Sequence, residues 1–159
     1  MKEILDACCG SRMFWFDKNN DKVLFMDKRS ETVEAKDSSN KKGTRTIVVS
    51  PELIADFTSM PFENGSFKLV VFDPPHLKTL GANSWMAKKY GKLDDNWKIT
   101  IEKGFAECFR VLEQNGVLIF KWNEYDIPLS EILKLTPEKP LFGHPSGKLQ
   151  KTHWVCFMK

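Results

Sequence analysis

The stretch "KLVVFDPPHLK", residues 68–78, decides how this chain folds. An apolar run ends in Asp73 and is followed at once by two prolines and His76. Apolar runs without alternation are typical of parallel strands that are covered on both faces. Proline has no amide hydrogen and a fixed φ, so the strand must stop at this point. The stretch therefore predicts a buried strand over residues 67–73 with a carboxylate at its carboxyl end.

Comparable apolar runs lie on both sides of this strand along the chain. They predict strands at residues 3–6, 22–27 and 116–122, a weaker strand at 46–49 and a closing strand at 152–158. Residues 99–116 carry an apolar stripe at helical spacing and end in Asn115–Gly116, a suitable helix stop. A second, shorter helix is predicted at residues 128–135. The alternation of strands and helices predicts an α/β fold with a doubly wound, mostly parallel, Rossmann-like sheet.

Length and composition bound the class of protein. The 159 residues suit one compact domain over residues 1–159 and leave no room for a separate target-recognition domain. The net charge of +3 permits an anionic partner without requiring one. No membrane-spanning apolar run and no signal-peptide pattern occurs, so we expect a cytoplasmic protein that binds no membrane. The four cysteines form no C-x-x-C pair, so we expect free thiols and no metal site.

Polar segments separate these elements. Residues 34–45 have the composition of a mobile surface loop, and residues 143–154 that of a hairpin turn. Residues 78–97 are long for a connection from a strand to a helix, which favours a substrate-binding loop or a lid. This segment mixes three lysines with two aromatic residues, which would suit a nucleic-acid backbone and its bases: Lys88, Lys89, Lys92, Trp85 and Tyr90. Trp15, by contrast, is interpreted as a core residue.

Aspartates follow the predicted strands. Asp6, Asp27 and Asp73 end three of them, and Asp56 lies close to where a further strand would finish. Ligands of open parallel sheets bind at the carboxyl ends of the strands. A buried charge without a partner costs several kcal/mol, so four such acids favour a binding site over a purely structural role. The alternative for each acid is a helix N-cap, which contributes about 1 kcal/mol.

The spacing of these acids restricts the ligand. Asp27 lies 21 residues after Asp6, a spacing typical of an acid that binds ribose hydroxyls. The first turn, "DACCGS", has a single glycine and opens with a carboxylate that would repel a pyrophosphate. A nicotinamide-dependent reductase is therefore disfavoured. S-adenosylmethionine fits better, because it carries an amino group, a sulfonium and an adenosine but no phosphate.

These stretches together resemble a known family. "ILDACCG", "FMDKR", "ADFTSMPFENGSFKLVVFDPPH" and "FRVLEQNGVLIFKW" resemble, in this order, class I S-adenosylmethionine-dependent methyltransferases over about residues 3–123. "KTHWVCFMK" resembles their final strand, and "DPPH" is similar to the D/N-P-P-aromatic motif of amino-methyltransferases. Members of that group methylate adenine N6, cytosine N4 or a glutamine side-chain amide. The small members encoded by phages and prophages are the most similar.

The resemblance assigns a role to each acid and its neighbours. It places Asp6, Ala7, Cys8 and Gly10 in the loop under the methionine part of the cofactor, Asp27 and Lys28 at the ribose, and Asp56 and Phe57 beside the adenine. Cysteine replaces the first glycine of the family's usual turn, which bears on cofactor affinity. The catalytic group would be Asp73, Pro74, Pro75 and His76. The Asp73 carboxylate and the Pro74 carbonyl would accept the two N–H bonds of the substrate amine, and His76 would stack on the base in place of the family's aromatic residue.

The resulting expectation is an enzyme that methylates an exocyclic amine of a nucleic-acid base, with adenine N6 in DNA favoured. DNA is favoured over RNA as the partner, and a partner subunit would be one source of target recognition. The alternatives are methylation of RNA or of a protein glutamine amide, and a catalytically inactive methyltransferase-like scaffold subunit.

Overall fold

The computed structural model describes residues 2–81 and 84–159. The strands are β1 Ile4–Asp6, β2 Val23–Asp27, β3 Glu31–Lys36, β4 Thr44–Val49, β5 Leu53–Ile54, β6 Phe67–Phe72, β7 Leu112–Asn123, β8 Phe142–Ser146 and β9 Thr152–Met158. The helices are α1 Trp85–Tyr90, α2 Trp97–Val111 and α3 Leu129–Ile132, which a 3-10 turn extends over Leu133–Leu135. Across the described ranges, no helix is both long enough and apolar enough to cross a membrane.

One seven-stranded sheet, in the order β5-β2-β1-β6-β7-β9-β8, organises the chain. The pairs from β5 to β7 are parallel, and β9 is antiparallel to both β7 and β8. The predicted α/β fold with a mostly parallel sheet is therefore confirmed. The chain runs outward from β1 to β5 and then returns to β6 on the other side of β1. The boundary between β1 and β6 is thus the topological switch point, where an open α/β sheet forms its ligand crevice.

The two faces of the sheet are covered differently. Helix α2 packs on one face, where Phe105 lies against Phe72 and Phe120 with ring centroids 5.7 and 4.8 Å apart. On the other face, the connection from β1 to β2 is irregular, and Trp15 from this connection packs edge-on against Phe25 at 5.5 Å. Asp6 and Asp27 belong to this second face, because side chains alternate along a strand and their neighbours Leu5 and Met26 lie in the α2-side core.

Residues 34–45 form the predicted loop only in part, because residues 37–43 are turns whereas residues 34–36 and 44–45 belong to strands. Strands β3 and β4 pair as a separate antiparallel hairpin, and the predicted strand 46–49 belongs to this hairpin rather than to the main sheet. The reason is an alternation in which Ala35, Ile47 and Val49 are buried together with Trp85 packed against them. The flanking polar residues conceal this alternation in the sequence.

The first predicted helix ends earlier than Asn115–Gly116. Helix α2 stops at Val111, because Leu112 pairs with Phe67 and opens β7. The residue with left-handed backbone geometry is Asn115, with φ 65°, and not Gly116. The second helix, predicted at residues 128–135, is confirmed as α3 with its 3-10 extension.

Gly104 in α2 is a sensitive packing position. A Cβ at Gly104 would lie 2.6 Å from Phe72 Cζ and 2.9 Å from Phe57 Cδ2. We expect Gly104→Ala to lower the free energy of unfolding by about 1–2 kcal/mol, because overpacking exceeds the gain in helix propensity. Urea titration measures this change, with exposed Gly81→Ala as the control because nothing lies within 4 Å of its added Cβ. An unchanged or higher free energy of unfolding for Gly104→Ala would show that the rings of Phe57 and Phe72 move to accommodate the added methyl group.

Candidate functional site

A cavity lies at the switch point of the sheet, and the carboxylates of Asp6, Asp27 and Asp73 all form part of its wall. Eight of the twelve residues assigned to catalysis or cofactor binding line it: Asp6, Cys8, Gly10, Asp27, Lys28, Phe57, Asp73 and Pro75. The other four, Ala7, Asp56, Pro74 and His76, are not part of the wall. The carboxyl ends of β1, β2 and β6 therefore bring three of the four predicted acids together.

Asp6 is buried and bonded only to neutral donors. Trp15 Nε1 donates to its Oδ2 at 2.8 Å, and the amide of Cys8 donates to its Oδ1 at 3.4 Å. Burial raises the pKa of Asp6 to about 7, although the Trp15 hydrogen bond opposes this rise. No described basic side chain forms a salt bridge with Asp6. Among the residues that the structure describes, this carboxylate therefore has no cationic partner.

Asp27 fixes the turn that follows β1. Its Oδ2 accepts the amide hydrogen of Gly10 at 2.9 Å, and its Oδ1 accepts from the backbone and side chain of Arg29 at 2.9 and 3.3 Å. Arg29 also donates from Nη1 to the carbonyl of Lys88 in α1 at 2.9 Å. Asp27 therefore connects the β1 turn, through Arg29, to the segment that covers the cavity. Arg29 was not identified from the sequence, where it follows the strand end like any surface residue.

Asp73 is paired with a lysine from the neighbouring strand. Lys121 Nζ donates to Asp73 Oδ2 at 3.0 Å. Burial raises the pKa of Asp73, and Lys121 works against this effect. Sequence reasoning missed Lys121, although a lysine inside the apolar run "GVLIFKW" was a usable signal.

His76 lies beside the cavity rather than in its wall. Its ring is 6.0 Å from that of Tyr90 and 6.2 Å from that of Trp122, and Pro74 before it is buried. Burial, assisted by the nearby Lys121 charge, lowers the pKa of His76 to about 4. The imidazole is therefore neutral at physiological pH.

Asp56 makes a local turn. Its Oδ1 accepts from the amide of Thr58 at 2.9 Å and from the Thr58 hydroxyl at 2.8 Å. This is the capping interaction that aspartate commonly makes two residues ahead in a turn. Its neighbour Phe57 lines the cavity and packs edge-on against Phe72 at 5.2 Å. Ala7 lies in the core beneath the β1 turn.

Part of the long segment 78–97 closes one side of the cavity. Lys89, Tyr90, Gly91 and Lys92, at the end of α1 and just after it, form this side of the wall. Gly91 has φ 79°, and a Cβ there would lie 2.9 Å from Pro75 Cγ. The segment therefore packs directly against the turn formed by residues 73–76, which we call the proline corner. Trp85 points elsewhere, since the Arg45 guanidinium lies 4.5 Å from its ring centroid on the β3–β4 hairpin.

The cysteines are thiols with little nucleophilic character. All four are free. Cys8 lines the cavity, but burial and then the Asp6 charge raise its pKa well above the usual range. Burial raises the pKa of Cys9 to about 12. A thiolate is therefore not the reactive group of this cavity.

Comparisons with known proteins identify the fold. No family model and no curated protein matches the chain. Among solved structures, it is similar to the PH0226 protein of Pyrococcus horikoshii, with a TM-score of 0.58, 12% identity, 98% of this chain and 80% of that one covered. A TehB-like S-adenosylmethionine-dependent methyltransferase from Corynebacterium glutamicum matches with a TM-score of 0.56, 14% identity and coverages of 98% and 79%.

A third similar structure is an S-adenosylmethionine-dependent methyltransferase from Methanosarcina mazei. It matches with a TM-score of 0.53 and 11% identity, covering 100% of this chain and 94% of that one. Identities this low establish the fold alone. The chain has the Rossmann-like fold that these methyltransferases share, as a single domain around a mostly parallel seven-stranded sheet.

Proposed function

We propose that this chain transfers a methyl group from S-adenosylmethionine to an exocyclic amine of a nucleic-acid base, with adenine N6 in DNA as the favoured target. One observation carries the proposal: Asp73 and Pro75 of the proline corner share a cavity with Asp6 and Asp27, the acids at the ends of β1 and β2. A cofactor site and an amine-orienting corner in one cavity are what this reaction requires.

The donor set of the cavity fits the cofactor. Asp6 has only neutral partners among the described residues, so it suits the ammonium of a cationic ligand. Asp27 lies at the end of β2, where an acid binds ribose hydroxyls in this fold, and Phe57 offers an apolar wall for the adenine. Lys28, Cys8 and Gly10 complete this part of the wall. When bound, S-adenosylmethionine supplies a methyl group on a positively charged sulfur.

The proline corner would prepare the amine. The lone pair of a base amine is delocalised into the ring, so the nitrogen attacks well only when acceptors draw its N–H bonds out of the ring plane. The Asp73 carboxylate is such an acceptor in the wall, and the motif offers the carbonyl of Pro74, which is buried beside the wall, as the second. Two consecutive prolines hold this turn rigid and carry no amide donors that could compete. The corner therefore contributes orientation and fixed charge rather than a strong base.

The substrate would enter beside α1. Lys89 and Lys92 line the cavity and suit phosphates, while Tyr90 offers a ring in the wall where His76 does not. We propose that residues 78–97 make the substrate contacts and that a partner subunit adds target recognition.

The direct test uses methyl-labelled S-adenosylmethionine with separate pools of unmodified DNA, RNA and protein. The nucleosides and peptides are then separated and analysed by mass spectrometry. We expect label in N6-methyladenine from DNA, and none with the Asp73→Ala variant. Label confined to protein glutamine, or no label in any pool, would contradict the proposal.

The pH dependence of cofactor affinity follows from Asp6. Its pKa is raised from 3.8 to about 7, so the folded chain keeps a proton that the unfolded chain releases. Stability without cofactor therefore falls as the pH rises from about 4 to 7. A cationic ligand prefers the ionised carboxylate, so cofactor affinity should rise roughly tenfold between pH 6 and pH 8.

Calorimetric titrations at pH 6, 7 and 8 measure this trend. Asp6→Asn should remove the pH dependence, whereas Asp21→Asn, at an exposed aspartate away from the cavity, should preserve it. An affinity of the wild-type protein that stays flat across this range would show that Asp6 does not face the cofactor.

Tyr90 provides a test of substrate contact. We expect Tyr90→Ala to raise KM for the nucleic acid by roughly 10-fold or more, because stacking on an aromatic ring contributes about 1–3 kcal/mol per base. Cofactor affinity should change little, and Tyr90→Phe should retain most of the activity. Tyr125→Ala is the matched control, since Tyr125 is the other tyrosine of the chain and is 67% exposed outside the cavity. Equal KM values for the two alanine variants would remove Tyr90 from the substrate surface.

A further inference from the structure

Lys121 is an unusual residue for its position in the sheet. It lies in β7 between Phe120 and Trp122, which are both fully buried, and its own side chain is only 21% exposed. Its ammonium is 3.0 Å from Asp73 Oδ2, and the Asp73 side chain is also 21% exposed. An ion pair that is this far removed from water is costly unless its geometry is good. Because Asp73 also lines the cavity, we consider a functional role for this ion pair.

Aromatic rings hold the lysine in place. Its Nζ is 4.7 Å from the ring centroid of Phe14 and 5.8 Å from that of Trp154, and the two rings are themselves 4.8 Å apart. Trp154 Nε1 donates to Ser146 Oγ at 3.1 Å, which fixes the indole. Cation–π contacts of this kind contribute about 0.5–2 kcal/mol each. The ammonium is therefore confined to the side of Asp73.

The other charged groups around Asp73 do not replace this lysine. Asp6 from β1 is a second carboxyl group, whose pKa is raised to about 7 by burial, and the thiol of Cys8 on the β1 turn is uncharged. His76, on the same turn as Asp73, is neutral at physiological pH because burial lowers its pKa to about 4. The cavity wall also contains Asp27 and four basic residues, Lys28, Arg29, Lys89 and Lys92. Within the described ranges, none of these four basic residues forms a salt bridge with Asp73. Lys121 is its cationic partner in this part of the chain.

We propose that Lys121 is a positioning residue, which keeps Asp73 ionised and oriented and thereby sets the lower pH limit of the reaction. This inference rests on the proposed function. A protonated Asp73 would be a hydrogen-bond donor and could not accept an N–H of the substrate amine. The bond from Lys121 occupies Oδ2 and leaves Oδ1 as the oxygen for the amine. Without the lysine, burial alone would favour the protonated form.

The test combines a pH profile with a direct titration of the carboxyl group. The variants are Lys121→Met, which removes the charge, and Lys121→Arg, which keeps it. Lys68→Met is the control, because Lys68 pairs with Glu3 on the surface and does not line the cavity. For each variant, kcat is measured from pH 5 to 10, and carbon-13 NMR of labelled aspartate follows the ionisation of Asp73 without any substrate, with Asp73→Asn assigning its signal.

For Lys121→Met we expect the acid limb of the kcat profile and the Asp73 titration to move together to higher pH, by roughly 1–3 pH units. Activity should recover above the new limb, and Lys121→Arg and Lys68→Met should follow the wild-type profile. A loss of activity that is equal at every pH, or an Asp73 titration that does not move, would overturn the proposal. If the wild-type protein methylates no nucleic acid, the proposed function fails, and the NMR titration still decides whether Lys121 controls Asp73.

Discussion

Replacing Asp73 by alanine should reduce kcat for methyl transfer by at least roughly 100-fold, while cofactor affinity stays within a few-fold of wild type. The reason is that Asp73 belongs to the proline corner and pairs with Lys121, whereas Asp6 and Asp27 form the part of the wall that suits the cofactor. Only the group that orients the amine is lost. Steady-state transfer of labelled methyl groups at saturating substrates measures kcat, and calorimetry measures the cofactor Kd.

Two controls make this result interpretable. Asp21→Ala changes an exposed aspartate that does not line the cavity and should behave like wild type. A thermal melt of Asp73→Ala separates loss of chemistry from loss of folding, because Lys121 is left without its partner. Transfer at the wild-type rate by a folded Asp73→Ala variant would show that the proline corner does not orient the substrate.

Replacing Asp27 by alanine should instead weaken cofactor binding, by roughly 100-fold or more. The carboxylate has two tasks, since it would bind the ribose hydroxyls and it already holds the Gly10 amide and Arg29. Charged hydrogen bonds of this kind contribute about 1.5–3 kcal/mol each. Their loss should therefore lower the cofactor affinity and also make the turn after β1 less ordered. At saturating cofactor, kcat should change much less than Kd. Calorimetry and steady-state kinetics give the two quantities.

Asp21→Ala is the matched control for Asp27→Ala, because Asp21 is exposed just before β2. A cofactor Kd for Asp27→Ala within threefold of wild type would refute its placement at the ribose. If the cavity has separate cofactor and substrate parts, Asp73→Ala should lower kcat with little change in cofactor Kd, and Asp27→Ala should raise cofactor Kd with a smaller change in kcat. One acid acts on catalysis and the other on cofactor affinity.

The sequence allowed the sheet to be predicted because its central strands are almost uninterrupted apolar runs. Parallel strands align their carboxyl ends at one edge, so the grouping of Asp6, Asp27 and Asp73 followed from their positions after strands alone. The hairpin of β3 and β4 was not predicted, because polar residues flank its few buried apolar ones and the two strands pack as a small unit outside the main sheet. Local composition there indicated a loop, and tertiary packing determined a sheet.

The parts of the site that escaped prediction depend on contacts between residues distant in sequence. Lys121 reaches Asp73 across neighbouring strands, and Trp15 reaches Asp6 from an irregular connection. Trp15 was interpreted as a core residue, and it does pack on Phe25, but its indole nitrogen serves the site. Asp56 was assigned to the site from its position near a strand end and from the family resemblance; its Oδ1 accepts from Thr58 two residues away, and it does not line the cavity. A motif gives the residue type, and only the fold gives its partners.

The most direct measurement of the central claim is a calorimetric titration of the wild-type protein with S-adenosylmethionine at pH 8. We expect one molecule to bind per chain, with an affinity that Asp27→Ala reduces by roughly 100-fold and that Asp73→Ala leaves within a few-fold. Absence of binding at millimolar cofactor, or binding that neither Asp27→Ala nor Asp6→Asn weakens, would contradict a cofactor site at the strand-end carboxylates.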